Sequence, residues 1–190
     1  MAPWTTLKRD TLDSLADEFL HNYAKGRTML AIDGSTGTRG FADELAERLG
    51  RGGHAVFRAS IDDFQRPRAD RYGSAYAGTY DYDLFRRVLV EPFKMNGSAG
   101  FVTAAFDHVR DTQIEMAWTT GPQDATLIVD GPYLNRPELR GLWNWSVWLE
   151  ARGVRADDEY WSAAAPRTRA SAIVDNSDPE HPRRVFADAC

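Results

Sequence analysis

Three short apolar runs, each leading to a carboxylate, constrain most strongly what this chain can become. Thr28 to Asp33 runs into Gly34, Ala55 to Ser60 delivers Ile61-Asp62-Asp63-Phe64, and Ala125 to Asp130 runs into Gly131-Pro132. Such runs, bounded by turn residues, read as buried strands, and segments with apolar residues at helical spacing separate them. Leu12, Leu15, Phe19 and Tyr23 mark one helix, closed by Lys25-Gly26, and Phe41 to Leu49 marks another. A third starts at Asp81-Tyr82-Asp83, carries Leu84, Phe85, Val88 and Leu89, and is expected to stop at Pro92. Gly100 to Phe106 reads as a strand, Thr112 to Trp118 as another or an extended excursion, and Ser146 to Glu150 and Ala170 to Val174 as two more short runs. The alternation predicts an α/β fold with a doubly wound, mainly parallel sheet covered on both faces. Leu30, Ile32, Val56, Leu127, Val129 and Val147 form its expected buried layer. Ligands of such sheets sit beyond the carboxyl ends of the strands, where Asp33, Asp62-Asp63 and Asp130 all fall.

The 190 residues read as a single domain, 1–190, long enough to bury a substantial core. A formal charge of -5 argues against a nucleic-acid partner, which a basic balance would favour. Basic residues gather locally at Arg66, Arg68 and Arg71, which suits a small anionic ligand or an acidic loop, or else a solvated surface loop. The one cysteine is Cys190, so no internal disulfide or cysteine metal cluster forms, which fits a reducing cytosol. Met1-Ala2-Pro3-Trp4 has no signal-peptide pattern, and no apolar run approaches the ~20 residues that span a bilayer. A cytoplasmic protein without a membrane partner is the expectation, with a homo-oligomer left open.

The segment after the first strand carries the most chemistry. Gly34-Ser35-Thr36-Gly37-Thr38-Arg39-Gly40 joins a strand to a helix, the context in which backbone N–H groups and a helix N-terminus cradle a phosphate. The phosphate-loop pattern G-x-x-x-x-G-K-[ST] would place Gly, Lys and a hydroxyl at the positions that hold Arg39, Gly40 and Phe41. The loop is expected to close as a short turn onto a helix starting near Phe41, with no hydroxyl placed for magnesium at the helix start. An isolated phosphate still suits it, because the helix N-terminus is partially positive and Arg39 adds a full charge.

Asp62 or Asp63 can take a proton from an attacking hydroxyl, or one of them caps the following turn. Successive residues at a strand end point apart, so one of the two faces the glycine loop and Asp130 and the other the following loop. Asp130 ends a hydrophobic strand, as an acid that holds magnesium does. His108 and Arg110 lie near another strand end, in Phe106-Asp107-His108-Val109-Arg110. No zinc-hydrolase or serine-hydrolase pattern occurs.

Taken together, Ala31-Ile32-Asp33-Gly34, Ser60-Ile61-Asp62-Asp63-Phe64-Gln65-Arg66-Pro67-Arg68, Tyr80-Asp81-Tyr82-Asp83, Val129-Asp130-Gly131-Pro132-Tyr133-Leu134-Asn135-Arg136-Pro137-Glu138-Leu139-Arg140, Ser146-Val147-Trp148-Leu149 and Ala172-Ile173-Val174-Asp175-Asn176-Ser177-Asp178-Pro179 resemble the uridine kinase-like branch of the P-loop nucleoside kinases. The resemblance spans nearly the whole chain. It implies transfer of the γ-phosphate of ATP, with magnesium, to a hydroxyl of a nucleoside or similar small molecule. By position it makes Asp62 the catalytic base, so that Asp62 faces Gly37 and Asp130 while Asp63 turns toward the following loop, Asp130 the acid near the metal, and Gly34 to Gly40 the phosphate and nucleotide loop. It also places the acceptor at the loop from Arg66 to Asp81, which includes Arg71, Tyr72 and Tyr80.

Two departures accompany the resemblance. The Gly-Lys-Thr-Thr segment has no full counterpart, and the interval from Ala151 to Arg169 is short for an arginine-bearing helical lid, although it holds Arg152, Arg155, Arg167 and Arg169. Three functions stay open: a kinase using Arg39 for the lysine, a non-catalytic binding or regulatory descendant, and a different reaction on the same scaffold.

Overall fold

The computed structural model describes residues 7–95, 97, 99–154 and 157–186, so Cys190, Arg155 and the first six residues lie outside the described part. In chain order the elements are α1 (Lys8–Tyr23), β1 (Arg27–Asp33), α2 (Thr38–Leu49), β2 (Ala55–Ser60), α3 (Ala75–Gly78), α4 (Tyr82–Phe85) and α5 (Glu91–Met95). Four two-residue strands follow: β3 (Phe101–Val102), β4 (Phe106–Asp107), β5 (Thr112–Gln113) and β6 (Trp118–Thr119). The chain then forms β7 (Ala125–Gly131), β8 (Trp145–Glu150), α6 (Asp158–Ala164), α7 (Pro166–Arg169), β9 (Ala172–Asp175) and β10 (Arg183–Val185).

Six strands make the central sheet in the order β10-β9-β8-β1-β7-β2, parallel throughout except for β10, which pairs antiparallel with β9. Alternate residues of the inner strands face opposite layers, as a pleated strand requires. Met29, Ala31, Leu127 and Val129 pack with Phe85, Leu89 and Phe93 on one side, and Leu30, Ile32, Ile128 and Val147 pack with Phe19, Phe41 and Leu45 on the other. This is the doubly wound sheet expected from the apolar runs. Val56 alone of the expected layer is only half-buried, because β2 is an edge strand with one neighbour.

Three local expectations change. Pro92 does not stop the third helix. A wide π turn over Arg86–Val90, with the Glu91 N–H donating to the Arg86 carbonyl, links α4 to α5 and carries the helix through Pro92, because the widened turn makes room for a residue that lacks an N–H. The run from Gly100 to Phe106 divides into β3 and β4, which leave the main sheet and pair with β6 and β5 as two small ladders. Finally, α2 begins at Thr38, three residues before Phe41.

Register aligns the site. Asp33 lies opposite Gly131 and Ser60 opposite Asp130, so all three acidic strand ends reach one carboxyl edge. Gly34 cannot be larger: a Cβ there would come 2.5 Å from the Leu149 carbonyl oxygen on β8. Between β8 and β9, the described residues form only α6 and α7, a reduced lid.

Candidate functional site at the carboxyl edge

Gly37 takes the left-handed conformation at φ 73° and turns the chain directly into α2. The first intrahelical bond runs from Phe41 N–H to Gly37 O at 3.2 Å, so the N–H groups of Thr38, Arg39 and Gly40 precede the helical ladder. Ser35, Thr36 and Gly37 are exposed at this helix start, whereas Thr38 is buried. A cavity of about 610 Å³ opens beside the turn, lined among others by Ser35, Thr36, Trp148, Arg152, Trp161 and Ser177. Arg39 does not lie over the turn alone; its guanidinium approaches Asp63 at 3.5 Å.

The early start of α2 overturns one expectation: a hydroxyl does stand at the helix start. Thr38 Oγ1 donates to Asp130 Oδ2 at 3.3 Å, and Ser60 Oγ reaches the same oxygen at 3.4 Å. The other oxygen, Oδ1, accepts from Arg58 Nη2 at 2.8 Å, and Asp130 is 1% exposed. This arrangement does not fit the magnesium that the kinase fold implies. A magnesium ion needs a near-octahedral oxygen shell with free carboxylate lone pairs. Here two hydroxyls occupy Oδ2, and a divalent ion at Oδ1 would meet the fixed positive charge of the Arg58 guanidinium, 2.8 Å from that oxygen. Among the described residues no group of three His, Cys, Asp or Glu side chains could hold a metal.

The second acidic end departs from strand alternation because Ile61–Phe64 forms a 3-10 turn rather than extended chain. Asp62 Oδ1 accepts from the Tyr80 hydroxyl at 3.0 Å and from Gln65 Nε2 at 2.9 Å, and Arg71 Nη2 holds Gln65 in turn at 2.7 Å. Asp63, expected to turn toward its own following loop, instead pairs with Arg39 and, at 3.4 Å, with His108 Nδ1. Burial pushes the Asp63 carboxyl up, and the Arg39 and His108 charges oppose that rise. The Tyr80 phenol is pushed well above its ordinary range by burial and by the neighbouring Asp62 carboxylate. Proton acceptance by Asp62 therefore cannot draw on Tyr80 as an acid at neutral pH.

The remaining acceptor-loop residues divide. Arg66 pairs loosely with Asp81 at 3.7 Å, and Asp81 caps α4 by accepting from Leu84 N–H at 3.0 Å. Tyr72 is 61% exposed and lies beneath the Arg66 guanidinium at 5.8 Å. Arg68 is exposed, and its backbone N–H donates to Asp111. Arg110 is exposed and pairs with Asp107 at 3.6 Å. The structure thus gathers Asp62, Asp63, Arg39, Arg71, Tyr80 and His108 and leaves Arg68 and Arg110 on the rim.

Sequence reasoning placed Asp33 at the ligand edge without giving it a role, and passed over Arg58 and Tyr160. Asp33 is fully buried; its Oδ2 accepts from the Asn135 backbone N–H at 2.9 Å, from Asn135 Nδ2 at 2.7 Å and from the Tyr160 hydroxyl. Among the described residues its Oδ1 has no partner within ordinary hydrogen-bond geometry. Tyr133, which packs edge-on to Tyr160 and Tyr76, sits at φ 67°, a costly conformation for a non-glycine residue just beyond Gly131 at φ 126°. The readable signal was an arginine in the middle of an apolar strand, since a charge placed there needs a buried partner.

Burial raises the Asp33 carboxyl to about 6, against the pull of its donors. The folded state therefore holds a proton that the unfolded chain, titrating near ~3.9, has lost. Stability from this group is complete below pH ~4 and is lost as pH rises through about 6, for a total of about 3 kcal/mol. Urea unfolding from pH 4 to 7 should show that decline in the wild type relative to Asp33→Asn, and parallel profiles would refute it.

A glycine turn feeding a helix, at the carboxyl edge of a parallel sheet of this order, defines a P-loop kinase-like fold. Solved structures agree and are consistent with the uridine kinase-like branch. A possible uridine kinase from Bacillus stearothermophilus superposes with a TM-score of 0.75 at 25% identity, covering 87% of this chain and 97% of that one. A candidate fructose transport system kinase from Silicibacter sp. TM1040 gives 0.61 at 25% identity, covering 74% of each chain. A D-glycerate 3-kinase from Cryptococcus neoformans, at 0.50 and 14% identity over 83% of this chain and 76% of that one, shows the shared fold alone. No family model matches the sequence, and no curated protein does. No helix among the described residues is long and apolar enough to cross a membrane.

Proposed function

We propose that this chain is a uridine kinase-like P-loop protein that binds a phosphorylated small molecule or nucleotide at the glycine turn, with phosphoryl transfer weakened or lost. One observation carries the reading: the turn closes straight into α2 without a lysine, beside a cavity of about 610 Å³, while Arg39 is drawn to Asp63. The N–H groups of Thr38 to Gly40 and the partial charge of the α2 N-terminus suit an anion. The lysine that would draw the outer phosphates is missing, and losing one such contact typically costs ~10²–10³ in rate.

The acceptor half of a kinase site supports kinase ancestry. Asp62, held by Tyr80 and Gln65, is oriented to accept a hydrogen bond from a ligand hydroxyl, and Arg71 fixes Gln65 behind it. Asp63, next to that acid, pairs with Arg39 at the start of α2 and with His108.

A phosphorylation assay with ATP and magnesium over nucleosides and small polyols tests this reading. Turnover below detection is expected, together with saturable binding of at least one phosphorylated ligand. Transfer to any hydroxyl at the ~1–100 s⁻¹ of ordinary kinases would overturn it.

A further inference from the structure

We propose that Arg58 is the resident counter-cation of Asp130, standing in for a divalent metal, and that its removal opens a latent metal site on Asp130, Thr38 and Ser60. Its functional consequence, that the turn takes a phosphate group without a metal, rests on the phosphate-binding reading above.

Arg58 is the one charged residue in the β2 sequence Ala-Val-Phe-Arg-Ala-Ser. Its side chain lies on the α2 side of the sheet and is 22% exposed. Every nitrogen of the guanidinium is used. Nε donates to Asp43 on α2 at 2.9 Å, Nη1 to the Ile128 carbonyl at 3.0 Å, and Nη2 to Asp130 at 2.8 Å. A planar fork held at three points cannot swing away from Asp130 without giving up the other two contacts. It therefore neutralises the buried carboxylate permanently, which a dissociable ion does not.

The remaining donors are hard oxygens. With Arg58 gone, Asp130 Oδ1 is released, and Thr38 Oγ1 and Ser60 Oγ lie on its other side at 3.3 and 3.4 Å. One carboxylate with hydroxyls and waters suits magnesium or manganese. The same oxygens that exclude a metal beside Arg58 would accept one in its absence.

Manganese titration, followed by the electron paramagnetic resonance of the free ion, tests this on the full chain. The wild type should bind no more Mn²⁺ than Asp130→Asn. Arg58→Ala should bind one equivalent more, and the Arg58→Ala/Asp130→Asn double variant should lose it. Arg58→Gln serves as the milder substitution. Should Arg58→Ala or Arg58→Gln unfold in chelator, Mn²⁺ should restore its thermal transition, and no restoration would overturn the proposal. So would an Asp130-dependent ion in the wild type, or a folded Arg58→Ala that binds none. Phosphate binding by the wild type in chelator is measured separately. Its absence would refute the phosphate-binding reading while leaving the role of Arg58 to the manganese result.

Discussion

Replacing Arg58 with methionine should lower the unfolding free energy by about 3–5 kcal/mol in chelator, the usual cost of breaking a buried ion pair from one side. Asp130 is 1% exposed, so the variant strands a carboxylate that only two hydroxyls contact. Adding Asp130→Asn should recover most of the loss, because the amide carbonyl still accepts from Thr38 and Ser60 and carries no charge. A urea-unfolding cycle over the four proteins measures the coupling. Additive losses would mean that Arg58 matters for its contacts with Asp43 and Ile128 rather than for the charge of Asp130.

Tyr160→Ala should cost about 3–5 kcal/mol, as truncation of a buried aromatic does. The ring is 1% exposed and packs within 5.1 Å of Tyr133, 5.5 Å of Tyr76 and 6.4 Å of Trp148, all centroid to centroid. Its hydroxyl also donates to Asp33. Tyr160→Phe separates the two contributions: it keeps the packing and costs about 1–2 kcal/mol for the lost hydrogen bond. With one donor fewer, the Asp33 carboxyl should rise further, so stability should decline over a wider pH span in Tyr160→Phe than in the wild type. A Tyr160→Phe profile that parallels the wild type would show that the hydroxyl does not govern Asp33.

The sheet was legible because parallel strands buried on both faces leave unbroken apolar runs. Ala125 to Asp130 and Thr28 to Asp33 therefore announced β7 and β1, and their acidic ends marked the edge where the site lies. Local geometry was less legible. Nothing in Ile61-Asp62-Asp63-Phe64 distinguishes a strand end from a 3-10 turn, yet that choice directs Asp63 to Arg39 and His108. The start of α2 depended on Gly37 adopting a positive φ, which a loop with three glycines leaves open. Partnerships across the sheet were the least legible. Arg58 and Asp130 are 72 residues apart, and only the register of β2 against β7 makes them neighbours. Pro92 misled because a π turn upstream carried the helix through it.

Phosphate binding without a metal is the central claim, and calorimetric titration of the wild type tests it most directly. ATP, ADP and inorganic phosphate would each be titrated in chelator and again in excess magnesium. Weak binding of the same affinity in both conditions, weakened further in Arg39→Ala, is the predicted result. Micromolar ATP binding that requires magnesium, with turnover on a nucleoside, would contradict it.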